Sequence, residues 1–121
     1  MFGKTIQQKR KKALERTERF QKHQAEYSKR YLVDFFDNRL SGLVKRGMRS
    51  ARNSYSQGGS PVGEVRLPDI VVSHMLNSEE VRALMAQRLT SLTAGTGFTA
   101  TAKNQRYVLK YLQVTWVDAP K

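Results

Sequence analysis

Few side chains in this sequence are equipped for covalent chemistry. There is no cysteine, which excludes thiol nucleophiles, thiolate metal sites and disulfides. His23 and His74 are the only histidines, one inside a charged run and the other beside an apolar stretch. A zinc site needs further nitrogen or clustered carboxylate ligands, so both read as solvent-facing or core-edge residues. Glu79-Glu80 is the one adjacent acid pair, and at a helix start it suits the macrodipole better than acid–base work. Asp34 and Asp37 are neighbours without a further ligand to suggest a metal. Gly95-Thr96-Gly97 follows a helical pattern instead of opening one, the wrong order for a phosphate-cradling loop. The residues argue against an enzyme, and no cofactor, metal or small-molecule substrate is expected.

What the chain does have is positive charge, unevenly spread. Of a formal net charge of +12, residues 1–30 carry +7, residues 31–56 carry +3 and residues 57–121 carry +2. Such asymmetry is an electrostatic footprint for a polyanion. One group comprises Lys9, Arg10, Lys11, Lys12, Arg16, Arg19 and Lys22. A second, Lys45, Arg46, Arg49 and Arg52, has the three- and four-residue spacing of one helical face. Cations on a helix can neutralise successive phosphates, and counterion release then gives affinity without sequence preference. The competing reading is a solvated helix, internally paired through Glu15–Arg19, Glu18–Lys22 and Glu26–Arg30. Those pairs leave Lys9 to Lys12 uncompensated. The expected partner is therefore nucleic acid, DNA or RNA, or an acidic protein surface.

The element that must carry these cations is a long helix. Tyr27, Tyr31, Phe35, Leu40, Leu43, Val44, Met48, Ala51 and Tyr55 recur at helical spacing, with Leu32 and Phe36 widening the stripe. No proline precedes Pro61. A helix from Thr5 to Arg52 would be on the order of 70 Å long. Gly42 and Gly47 mark a kink or the close approach of another element. Upstream, Ile6, Ala13, Phe20 and Tyr27 are spaced by seven, but Arg10, Thr17 and Gln24 occupy the intervening seam positions. One apolar residue per two turns cannot bury a face. Residues 1–25 are therefore expected to be helical but protruding, with Phe20 and Tyr27 as packing residues for a partner. The same stripe is too thin for stable insertion at a membrane surface.

No run approaches the 18 apolar residues of a membrane span, and the N-terminus lacks the apolar core of a secretory signal. Glu15 and Glu18 are out of keeping with a mitochondrial presequence. A cytoplasmic setting is expected, or a virion if the chain is phage-encoded.

The fold class expected is α+β, with the helix over residues 1–56, a Gly/Ser/Pro hinge over 57–63 and a small module over 64–121. Within the module, Glu64–Leu67 reads as a strand, while Ile70–Leu76 is ambiguous between strand and helix. Asn77 and Glu80 suggest an N-cap and its reciprocal partner for a helix carrying Val81, Leu84, Met85, Leu89 and Leu92. Phe98–Ala102 and Tyr107–Val117 read as an antiparallel hairpin across the turn Lys103–Arg106. Val108, Leu112, Val114 and Trp116 form the better core face. Tyr107 and Tyr111, near Lys103, Arg106 and Lys110, are spaced to stack bases, although packing beneath the N-terminal helix is the favoured reading. As the reading helix of a winged helix, residues 78–92 carry only Arg82 and Arg88 against Glu79 and Glu80.

Ala51-Arg52-Asn53, a glycine-containing turn, a strand with Val65 and Leu67, a helix ending in Arg88-Leu89, Gly97-Phe98 and Val114-Thr115-Trp116 follow one another in this chain. The pattern resembles that of small uncharacterised bacteriophage proteins over residues 50–117. The resemblance implies a phage origin, and it carries over no active-site residues. The leading expectation is thus a non-enzymatic, sequence-independent binder of nucleic-acid backbone within a larger assembly. The alternative is a structural protein, such as a virion component, whose helix packs against other protein subunits.

Overall fold

The structure is a computed structural model that describes residues 5–105 and 108–121. Arg106 and Tyr107 lie outside the described residues. The chain is α+β. Helical backbone runs from α1 (Ile6–Asp34) through a π turn (Phe35–Arg39) into α2 (Leu40–Ser56). Then come β1 (Val62–Arg66), α3 (Asp69–Asn77), α4 (Glu79–Thr93), β2 (Phe98–Gln105) and β3 (Val108–Trp116). Two compact units result, Met1–Val33 and Asp34–Lys121.

The first unit is α1. Every described side chain from Thr5 to Tyr27 is exposed.

The second unit begins with the π turn, whose cause is a five-residue step in the apolar stripe. Phe35 and Leu40 would stand about 140° apart on a regular α-helix. The backbone N–H of Leu40 instead donates to the Phe35 carbonyl, a five-residue closure, and both side chains are fully buried. Phe36 is buried beside Phe35, with the two rings edge to face at 5.5 Å. The irregularity thus falls at 35–39 and not at Gly42, which is exposed with open space around it.

From Leu40 the core face of α2 is regular: Leu40, Val44, Gly47 and Ala51 are buried. Gly47 is where the sheet comes closest. A Cβ there would meet the side chain of Val114, with Val65 next to it. Across the interface, a Cβ on Gly63 would collide with the Gly47 carbonyl oxygen and lie 2.7 Å from the Ala51 nitrogen. The two glycines allow helix and strand to meet backbone to backbone. Residues 57–61 form a tight turn, in which the Gly59 N–H donates to the Ser54 carbonyl at 2.8 Å. The Pro61 carbonyl accepts from the Trp116 N–H at 2.7 Å. The segment read as a hinge therefore seats β1 on α2.

The sheet is antiparallel throughout, in the order β1-β3-β2. Cross-strand pairs Gly63↔Val114↔Ala100 and Val65↔Leu112↔Ala102 set its inner face. Leu112 and Val114 are fully buried, as expected for the core face of this strand. Helix α2 packs against β1 and β3, and α4 packs against β2. Alternation puts Tyr111 on the opposite face, so it does not lie beneath α2. β2 continues to Gln105, beyond the Ala102 expected, with an irregular register between Lys103 and Gln105.

Between β1 and β2 the chain makes two helices. The segment Ile70–Leu76 is helical because it presents Val71, Val72 and Met75 to the core at helical spacing. The cap of α4 is Ser78 and not Asn77: its Oγ accepts from the Val81 N–H at 3.3 Å. Ser78 has the extended backbone a cap requires, whereas Asn77 still belongs to α3 and donates its amide to the Ser73 carbonyl. Met85, Leu89 and Thr93 are the buried face of α4. Gly95 and Gly97 both take positive φ in the turn that follows.

Gly63→Ala is expected to lower stability by about 3 kcal/mol in urea denaturation, because the added methyl meets backbone that cannot swing aside. Ser78→Ala is expected to cost about 1 kcal/mol in the same measurement, and Asn77→Ala less, since only Ser78 holds the first turn.

Candidate nucleic-acid interface

α1 sorts its residues by charge around its axis. At about 100° per residue, every Lys, Arg and Glu from Lys11 to Arg30 projects into one arc of about 160°. Ala13, Leu14, Phe20, Ala25 and Tyr27 project into the other. The charged arc holds Lys11, Lys12, Arg16, Arg19 and Lys22 from the sequence-predicted group. Lys9 stands at its margin, and Arg10 falls within the uncharged arc. All seven side chains are exposed, and Phe20 and Tyr27 are 63% and 64% exposed.

The one-turn pairs foreseen for this helix do not close. Ion pairs among the described residues are Arg39–Asp34 at 3.2 Å, Arg66–Asp69 at 3.4 Å and Arg88–Asp37 at 3.5 Å. None involves Glu15, Glu18 or Glu26. The glutamates reduce the field of the arc without masking an individual cation, as exposed pairs contribute little in any case.

On α2, the buried stripe leaves Lys45, Arg46, Arg49 and Arg52 on the opposite, exposed side. The structure gives the four different surroundings. The Arg52 guanidinium lies over the Phe98 ring, 5.1 Å from its centroid. Phe98 in turn stacks on Trp116 at 5.8 Å, and Tyr55 meets Trp116 edge to face at 5.7 Å. Arg52 is thus part of the packing as well as of the charge. Arg46 faces β1, where it lines a shallow depression with Leu43, Arg66 and Leu67, closed by Pro68 and Asp69. Glu64 lines the adjoining depression with Arg46 and Arg66. Lys45 and Arg49 line neither depression. Arg66 is the cation that sequence reasoning missed here, because only the seating of β1 on α2 brings it beside Arg46.

α4 offers less. Arg82 donates to the Met75 carbonyl at 2.7 Å, and Arg88 reaches Asp37. Both arginines tie elements together, so a winged-helix role for α4 gains nothing from them. Among the described residues no three His, Asp or Glu side chains gather as a metal ion would need. Nor is any helix long and apolar enough to cross a membrane among them.

Comparison with protein-family models, with curated proteins and with solved structures finds no match for this chain.

Arg52→Gln is expected to destabilise the fold by about 0.5–1 kcal/mol through loss of the contact with Phe98. Lys45→Gln and Arg49→Gln are expected to stay within about 0.5 kcal/mol of the parent. Thermal or urea unfolding of the three variants checks the division.

Proposed function

We propose that the protein is a non-enzymatic binder of nucleic-acid backbone, acting through its basic helices and without sequence preference. The observation that carries this reading is the segregation on α1. Exposed lysines and arginines share one side of the helix with three glutamates that form no ion pair among the described residues, giving a net positive strip. A strip of this kind suits a regular row of phosphates, whose condensed counterions are released on contact. Lys45 and Arg49 on α2 offer further phosphate contacts on the second unit.

A second reading is favoured by the other side of α1. Ile6, Leu14, Phe20 and Tyr27 are large, apolar and exposed. They would pack against protein subunits in an assembly, and the resemblance of residues 50–117 points to a phage particle as its setting. On that reading the positive strip faces packaged genome or an acidic subunit.

Salt separates the two, since phosphate contacts weaken steeply with ionic strength and apolar packing does not. Binding of the full chain to generic duplex is expected to be micromolar at low salt. Replacing Lys11, Lys12, Arg16 and Arg19 of the charged arc together by Gln is expected to reduce the slope of log K against log salt by about 3 to 4. Fluorescence anisotropy across a salt series measures both. No binding by the full chain at low salt would overturn the nucleic-acid reading. Salt-resistant association lost in Phe20→Ala/Tyr27→Ala would establish the second.

A further inference from the structure

We propose that the open face of the sheet is a platform for single-stranded nucleic acid, with an unpaired base stacked on Tyr111 between Arg66 and Lys103. The register places Arg66 of β1 and Lys103 of β2 directly across from Tyr111 of β3, one on each side. Residues opposite one another share a face. At Tyr111 and Lys103 that face is turned away from Leu112 and Val114, while at the β1 edge Arg66 also borders Arg46 of α2. Strands about 4.8 Å apart put the two cations about 10 Å apart, with the phenol ring between them.

The chemistry of the three residues selects the occupant. Tyr111 is half-buried and Lys103 exposed, and the Arg66 side chain is 68% exposed. Among the described residues Arg66 pairs with Asp69, a long and exposed contact, so a phosphate can replace the carboxylate at little cost. The remaining described positions of this face are mostly neutral: Val62, Thr99, Thr101, Gln113 and Thr115, with Glu64 as the acid. An aromatic ring flanked by two cations matches a base flanked by its two phosphates. Every base has a π face, so such a site tolerates any sequence, whereas a duplex keeps its bases stacked within the helix.

The inference shares with the preceding reading the class of partner and, at the β1 edge, Arg66, which also lies beside Arg46 of α2; Tyr111 and Lys103 are the residues that set this surface apart from the basic helices. Its test uses the full chain, a labelled oligothymidylate and a duplex of equal length. Tyr111→Leu is expected to weaken binding of the single strand by about tenfold or more and to leave the duplex within about twofold. Tyr111→Phe, which keeps the ring, is expected to retain single-strand affinity. Arg66→Gln/Lys103→Gln is expected to lower the single-strand salt slope by about 1.4. That surface pair carries the test if Tyr111→Leu does not fold. Unchanged single-strand binding in Tyr111→Leu or in Arg66→Gln/Lys103→Gln overturns the inference. So does an equal loss on both ligands, or failure of the parent chain to bind the single strand. Absence of duplex binding with Tyr111-dependent binding of the single strand would defeat the helix reading and leave this one standing.

Discussion

The backbone contact between α2 and β1 is the constraint on which the rest of the larger unit depends. Gly47 and Gly63 remove the two Cβ atoms that would hold helix and strand apart. Val114 of the central strand then lies against the helix, in one cluster with Ala51 and Phe98. From that contact the arrangement propagates outward. β3 is fixed by its pairing to β1, β2 by its pairing to β3, and α4 by packing on β2. Arg52 and Tyr55 close one end by engaging Phe98 and Trp116. A core of this size tolerates little slack, since interiors pack at the density of organic crystals and an extra methylene is felt.

The π turn serves the same packing. A regular helix through residue 40 would send either Phe35 or Leu40 out of the core, and one inserted residue keeps both. The local cost is loss of the regular four-residue hydrogen-bond closure. It is offset by burial of two large side chains, each contributing about 1.5–3 kcal/mol. The turn also aligns Asp34 with Arg39 and presents Asp37 to Arg88 on α4. One irregularity in the helix is thus braced by polar contacts within its own unit.

Charge and packing are separated around each helix. α1 keeps its charged residues on one arc over most of its length, and α2 keeps its cations opposite a buried stripe. Every described residue from Thr5 to Tyr27 is exposed, so the internal fold gives α1 no reason to carry Phe20 and Tyr27. A 29-residue helix with few apolar contacts draws its stability mainly from propensity and length, without the tertiary packing that supports most helices in proteins. Binding along either arc would add packing or charge contacts that the described residues of its own unit do not supply. That is the physical link between the charge pattern and an expected partner.

Local pattern made much of this legible. Helical spacing of apolar residues located α2 and α4, alternation located β3, and charge counting located the basic surfaces, because each depends only on near neighbours in the chain. The α+β class followed from the same patterns. Several features depended instead on distant contacts. The five-residue step from Phe35 to Leu40 is visible in the sequence, but that both residues are core is decided by what packs on them. Asn77 and Ser78 are both good caps, and the end of α3 chose between them. The Gly58-Gly59 stretch looks like a joint, yet the fit of Gly63 against Gly47 fixes β1 in place. Which cations remain available was likewise a tertiary outcome. Arg52 is engaged by Phe98 and Arg82 by a carbonyl, while Arg66, Tyr111 and Lys103, distant in sequence, were aligned only by strand pairing.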